Sequence, residues 1–166
     1  MMKKKYGGER NVLNSNLPIE LKYLFENQYI QCMQILLVLF TNRRKKEGIT
    51  INELVYYITL GKCSDKLEEN EYKIDFQYIQ NNYFKYENNI RKNIAILTNK
   101  ELIELNYKNG TKKDTLNIKV SEKGIEIIEK LQSKYFKDEL DLYNYLHKYM
   151  RFSNKNQKGV LFKYES

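Results

Sequence analysis

Apolar residues first recur at helical spacing from Leu17 onward, at Leu21, Leu24, Phe25, Ile35, Leu36 and Leu39, with a polar patch from Glu26 to Gln28. The spacing predicts one long helix or two shorter ones. Asn14-Ser15-Asn16 supplies an N-cap, and Pro18 falls in the first turn, where its missing N–H costs nothing. The run Arg43-Arg44-Lys45-Lys46 closes the segment with cations that complement the negative end of a helix dipole, and Gly48 ends it. Thr50 and Glu53 form a capping box for a second helix, Ile51 to about Leu60, with Leu54, Val55 and Ile58 inward and Gly61 as the stop. Lys62 to Asp75 reads as a charged, irregular insertion. A third helix follows from about Phe76 to Asn99. Ile79, Tyr83, Tyr86, Ile90, Ile94 and Leu97 form its apolar stripe, and Lys85, Asn88, Arg91, Lys92 and Asn99 its polar face.

The period then changes from 3.6 to 2. Ile103, Leu105 and Tyr107 alternate, Asn109-Gly110 turns the chain, and Leu116, Ile118 and Val120 alternate back. This predicts a β-hairpin with Lys108, Lys112 and Lys113 near its tip. Ser121 caps a further helix carrying Ile125, Ile128, Leu131 and Tyr135, and a last helical piece holds Leu140, Tyr143, Leu146 and Met150. Helix, helix, helix, hairpin, helix is the order of a winged-helix domain. The expected class is α+β, mainly helical, with a C-terminal helical extension. The expected organisation is a flexible basic arm at 1–13, the winged-helix domain at 14–137, a packed helix at 138–150 and a basic tail at 151–166.

Composition narrows the function classes. A chain of 166 residues suits one domain and needs no disulfide or metal to bury a core. With 42% apolar and 30% charged residues it reads as globular rather than disordered. Its most apolar stretch, Ile35 to Phe40, is far shorter than a bilayer span, and polar residues follow Lys3-Lys4-Lys5 where a secretory signal would be apolar. Cys32 and Cys63 stand apart and read as reduced thiols, so a cytoplasmic location is expected. With His147 as the single histidine, metal sites of the usual kind lack ligands; no metal, cofactor or catalytic residue is expected. The net charge of +8 invites a nucleic-acid reading. Lysine dominates the basic set, beside abundant Asn, Ile and Tyr, a composition that AT-rich codons also produce.

Candidate contacts to duplex DNA are Arg43, Arg44, Lys45 and Lys46 after the first helix. Lys85, Arg91 and Lys92 on the third helix and Lys112 and Lys113 on the wing complete the set. The long insertion before the third helix argues against a standard helix-turn-helix, whose turn is short, and its carboxylates would repel phosphates. Tyr83, Tyr86, Tyr135, Tyr143 and Tyr149 are candidate anchors for a protein partner. The lysine-bearing positions fit a solvated helix face equally, and the tyrosines fit packing of a terminal helix.

Several segments carry a family resemblance. LTNKELIEL (Leu97 to Leu105) resembles the "L-x-x-x-G-L-I-E" approach to a wing, with Lys100-Glu101 in place of the glycine. VSEKGIEIIEKL (Val120 to Leu131) resembles the "L-T-x-x-G" exit. INELVYYITL (Ile51 to Leu60) and LQSKYFKDEL (Leu131 to Leu140) resemble segments of the middle component of ABC three-component systems, the small winged-helix subunit of Lamassu-type anti-phage defence operons. Thr59 stands where that family has an aspartate, and the insertion lacks its His-Pro. The resemblance spans about residues 13–150. It implies a non-enzymatic accessory subunit between an SMC-like ATPase and an effector, often a nuclease, with DNA backbone as a further partner. The alternatives are a dimeric winged-helix transcriptional regulator and a plasmid partition or replication protein, both binding duplex DNA.

Overall fold

The computed structural model describes residues 19–68, 71–108 and 115–162. Helix α1 (Ile19–Thr41) is one continuous element. From Met33 to Leu39 its residues are buried all round, Gln34 included. A helix with no polar face must be enclosed, and α1 is the axis on which the later helices pack. Asn42 fastens the turn that follows, its Nδ2 donating to Val38 O at 2.9 Å. Gly48, at φ +85°, then reverses the chain into β1 (Ile49–Thr50).

Helix α2 (Ile51–Lys62) starts where the capping signal places it, with Thr50 Oγ1 accepting from Glu53 N at 3.1 Å. Gly61 does not stop it. The helix runs through Gly61, and an added Cβ there would lie 2.7 Å from Tyr143 Cε1, so this glycine makes room for a ring.

The stretch expected to be irregular is a second hairpin. Strands β2 (Ser64–Glu68) and β3 (Glu71–Ile74) pair antiparallel, Ser64 opposite Ile74 and Asp65 opposite Lys73. Tyr72 and Ile74 turn toward the core while Glu71 and Lys73 face out, so the strand period was present beneath the charge. Asp75 N donates to Cys63 O at 2.9 Å, closing the hairpin's base.

Asp75 caps α3 (Phe76–Asn99), its Oδ1 accepting from Tyr78 N at 3.1 Å. The anticipated stripe is the buried one, with Tyr86 half-buried at its edge. Glu101 takes a left-handed conformation, φ +60°, where the wing pattern has glycine. Strands β4 (Ile103–Lys108) and β5 (Thr115–Val120) pair antiparallel, Ile103 opposite Val120 and Leu105 opposite Ile118. Ile103 and Ile118 are buried, whereas Leu105 and Tyr107 are exposed, so the ribbon leaves the body as it extends. The turn at Asn109-Gly110 and the candidate contacts Lys112 and Lys113 lie outside the described residues. β1 pairs with β5 through Ile49 and Ile118, giving the sheet order β1-β5-β4.

Ser121 caps α4 (Glu122–Glu129) by accepting from Gly124 N at 3.0 Å, and its own hydroxyl donates to Glu101 O at 2.8 Å. Gly124 sits against Leu102 O and Val120, as close packing of helix on strands requires. This helix stops at Glu129, short of Leu131 and Tyr135, because Ser133 starts another. Helix α5 (Lys134–Tyr149) crosses the expected boundary at 137/138 and buries Phe136, Leu142, Tyr143 and Leu146 against α1 and α2. It belongs to the core and is no appendage. The expected tail at 151–166 contains helix α6 (Asn154–Leu161), capped by Ser153 and held by buried Val160 and by Gln157. The fold is mainly helical with two small antiparallel sheets. Among the described residues, no helix is long and apolar enough to cross a membrane.

Candidate nucleic-acid interface

The basic candidates fall in two places. Lys85, Arg91 and Lys92 are exposed on α3, where Arg91 is tied to Glu87 at 3.1 Å. An exposed pair of this i, i+4 kind holds the helix surface at little energetic gain.

Arg43 to Lys46 differ from one another in what they touch. Arg43 caps the end of α1: its Nη1 donates to Phe40 O at 2.8 Å, and its guanidinium lies 3.9 Å from the Phe40 ring centroid. Lys45 forms an ion pair with Glu53. Lys46 is exposed, and its backbone carbonyl accepts from Lys119 Nζ at 3.4 Å. Arg44 makes no hydrogen bond or ion pair among the described residues.

These residues do not stand alone. The end of α1 and the last turns of α5 enclose a cavity of about 640 Å³, lined by Arg43, Arg44, Lys45, Asn144, His147 and Arg151, with no carboxylate on its wall. Asn144, His147 and Arg151 are three and four residues apart, so they project from one side of α5 and the residues just after it. Sequence reasoning missed all three as site residues. Burial lowers the His147 pKa, as do the Arg151 and Lys45 charges, while Glu53 opposes them. The imidazole is therefore held neutral in a positive surrounding.

The aromatic candidates divide by burial. Tyr83 and Tyr143 are corrections: both are core residues and present no ring at the surface. Tyr83 OH accepts from Gln157 Nε2 at 2.9 Å, so it anchors α6 rather than a partner. Tyr86 is half-buried, its hydroxyl bonded to Tyr78 OH at 3.1 Å. Tyr135 and Tyr149 are exposed. Tyr149 continues a row that sequence reasoning did not assemble. Tyr145 stacks on Tyr72 of β3 at 4.8 Å and on Tyr149 at 4.9 Å, joining the hairpin to α5. The i, i+4 spacing of Tyr145 and Tyr149 was visible; the arrival of Tyr72 was not.

Burial and the Asp75 carboxylate push the Cys63 thiol up to about 12, leaving it protonated and inert. Among the described residues, no group of three or more His, Cys, Asp or Glu is placed to hold a metal ion. The arrangement gathers positive charge at the α1–α5 junction, with the Tyr145 and Tyr149 rings farther along the same helix. Neither a protein-family model, nor a curated protein, nor a solved structure matches the chain.

Proposed function

We propose that the chain is a non-enzymatic winged-helix accessory subunit of an SMC-like ABC ATPase complex of anti-phage defence. In that role it bridges ATPase and effector in the cytoplasm and touches DNA through its backbone. One observation carries the winged-helix part: the two-residue strand before α2 pairs with the return strand of the β4–β5 hairpin, which places α2 and α3 beside a projecting ribbon. The accessory role draws on the resemblance of two segments, Ile51 to Leu60 and Leu131 to Leu140, to the Lamassu-type subunit. It draws also on exposed Tyr149, which partly buried Tyr72 and Tyr145 hold in place, since aromatic rings at a surface carry binding energy at interfaces.

A sequence-reading regulator is the second reading, favoured by the exposed Lys85 and Lys92 on α3. Two features weigh against it. The β2–β3 hairpin separates α2 from α3, where a helix-turn-helix has a short turn. Helix α6 also rests on the stretch that a recognition helix would insert. Gln157 Nε2 bonds Asn52 Oδ1 at 2.7 Å at the start of α2 as well as Tyr83, and Gln80 in the first half of α3 donates to Val160 O at 3.5 Å.

Co-expression with the ATPase encoded in the same operon is expected to yield one stable complex on a sizing column. Elution of this chain alone beside a folded ATPase would overturn the accessory reading.

A further inference from the structure

We propose that the cavity between the end of α1 and α5 is a binding site for a phosphate monoester, its phosphoryl group gripped by Arg44 and Arg151 and its remainder no larger than a mononucleotide. The proposal goes beyond the accessory role and does not depend on it.

The cations at this junction are used in different ways. Two helix C-termini meet here, and cations gather at such ends to neutralise the exposed carbonyls. Arg43 does that, bonding Phe40 O. Lys45 is committed to Glu53. Arg44 and Arg151 do neither: both side chains are exposed on the cavity wall, and neither bonds a carbonyl or a carboxylate among the described residues. They arrive from opposite ends of the chain, so local helix capping does not explain their meeting. Two planar forks with free N–H groups facing one space suit the several oxygens of a phosphoryl group.

Charge and size then choose the class. Arg43, Arg44, Lys45 and Arg151 line the site, no residue lining it is a carboxylate, and Glu53 pairs with Lys45 alone, so positive charge is in excess. That excess matches a monoester, which carries close to two negative charges near neutral pH, better than the single charge of a diester. A volume of about 640 Å³ lies in the range of small-molecule sites. Asn144, exposed on the same wall, adds a neutral donor.

His147 gives the site a signature that an ordinary basic surface lacks. Its ring faces Arg151 and Lys45, which disfavour its proton, Glu53, which favours it, and the Tyr57 ring at 6.1 Å. A bound dianion adds negative charge and raises its pKa, so binding takes up a proton. Affinity then increases as pH falls toward the free imidazole's lowered pKa.

Titration calorimetry on the full chain tests this with sodium sulfate and 5′-AMP at about pH 6 and about pH 8. Sulfate keeps its charge over that range, so its pH dependence belongs to the protein. Both anions are expected to bind, with adenosine inert, and sulfate about 3- to 10-fold tighter at the lower pH. Arg44→Gln and Arg151→Gln should each weaken binding about tenfold, while Lys130→Gln, just past the end of α4, leaves it unchanged. His147→Gln should remove the pH dependence. Thermal melts of the arginine variants, both altered at exposed positions, verify folding. The proposal is overturned if neither anion binds, if adenosine matches 5′-AMP, or if the arginine variants bind like the parent. It is overturned equally if duplex DNA without terminal phosphates binds in the cavity and the two small anions do not.

Discussion

Gly48→Ala is expected to lower stability by about 3–4 kcal/mol, a loss of about 10 °C in melting temperature. Two costs combine. Gly48 sits at φ +85°, a left-handed conformation that costs an L-residue about 1–2 kcal/mol. A methyl there would also fall on the Ile118 carbonyl, 2.8 Å from its carbon. The strand must then move, and β1 loses the pairing that buries Ile49 at 1% exposure against Ile118. Gly159→Ala in α6 is the internal control. Nothing lies within 4 Å of a methyl at that position, and alanine favours a helix interior by up to about 1 kcal/mol. Circular-dichroism melts should therefore move in opposite directions for the two variants. A Gly48→Ala protein that melts with the parent would mean that β1 does not pair as described.

Tyr143 gives the second large effect, and it separates ring from hydroxyl. The side chain is 1% exposed and packs on Gly61 of α2. Among the described residues its hydroxyl has no hydrogen-bond partner, and burial, with the Glu139 charge nearby, holds its pKa well above the usual phenol value. Tyr143→Ala should cost about 3–5 kcal/mol, the usual loss for a buried aromatic ring. Tyr143→Phe should be neutral or stabilising by up to about 1 kcal/mol, because it removes a polar atom that folding leaves unsatisfied. Equal losses in both variants, measured by denaturant titration, would show that the hydroxyl makes a bond essential to the fold.

These positions also show what was legible in the chain. Local signals read well where one residue decides one structure. Thr50, Ser121 and the period change at Ile103 each placed an element where it lies. Tyr143 belonged to a visible stripe with Leu140, Leu146 and Met150, yet an aromatic on a stripe fits core and interface alike until its opposite surface is known. The β2–β3 hairpin was obscured because only one face of a short strand is half-buried, and the charges beside it resemble those of a loop. Helix α6 was hidden by its polarity: beside buried Val160 it is seated by Gln157 and Gln80, and amide pairing has no periodicity to read. The cavity depends on tertiary structure alone. The basic run after α1 was noted, but nothing local connects it to His147 and Arg151, which reach it only because α5 lies along α1.

Side chains along α5 and just after it divide between two surroundings. Asn144, His147 and Arg151 face the cationic cavity, while Tyr145 and Tyr149 stack toward the β2–β3 hairpin.

The most direct measurement is fluorescence anisotropy with two unrelated DNA duplexes over a range of salt. The account expects equal affinities for both, falling with salt at a log–log slope near −0.9 per phosphate neutralised. A preference of about 10³ or more for one sequence, abolished by reversing the charges of Arg91 and Lys92, would contradict it and make α3 a reader of bases.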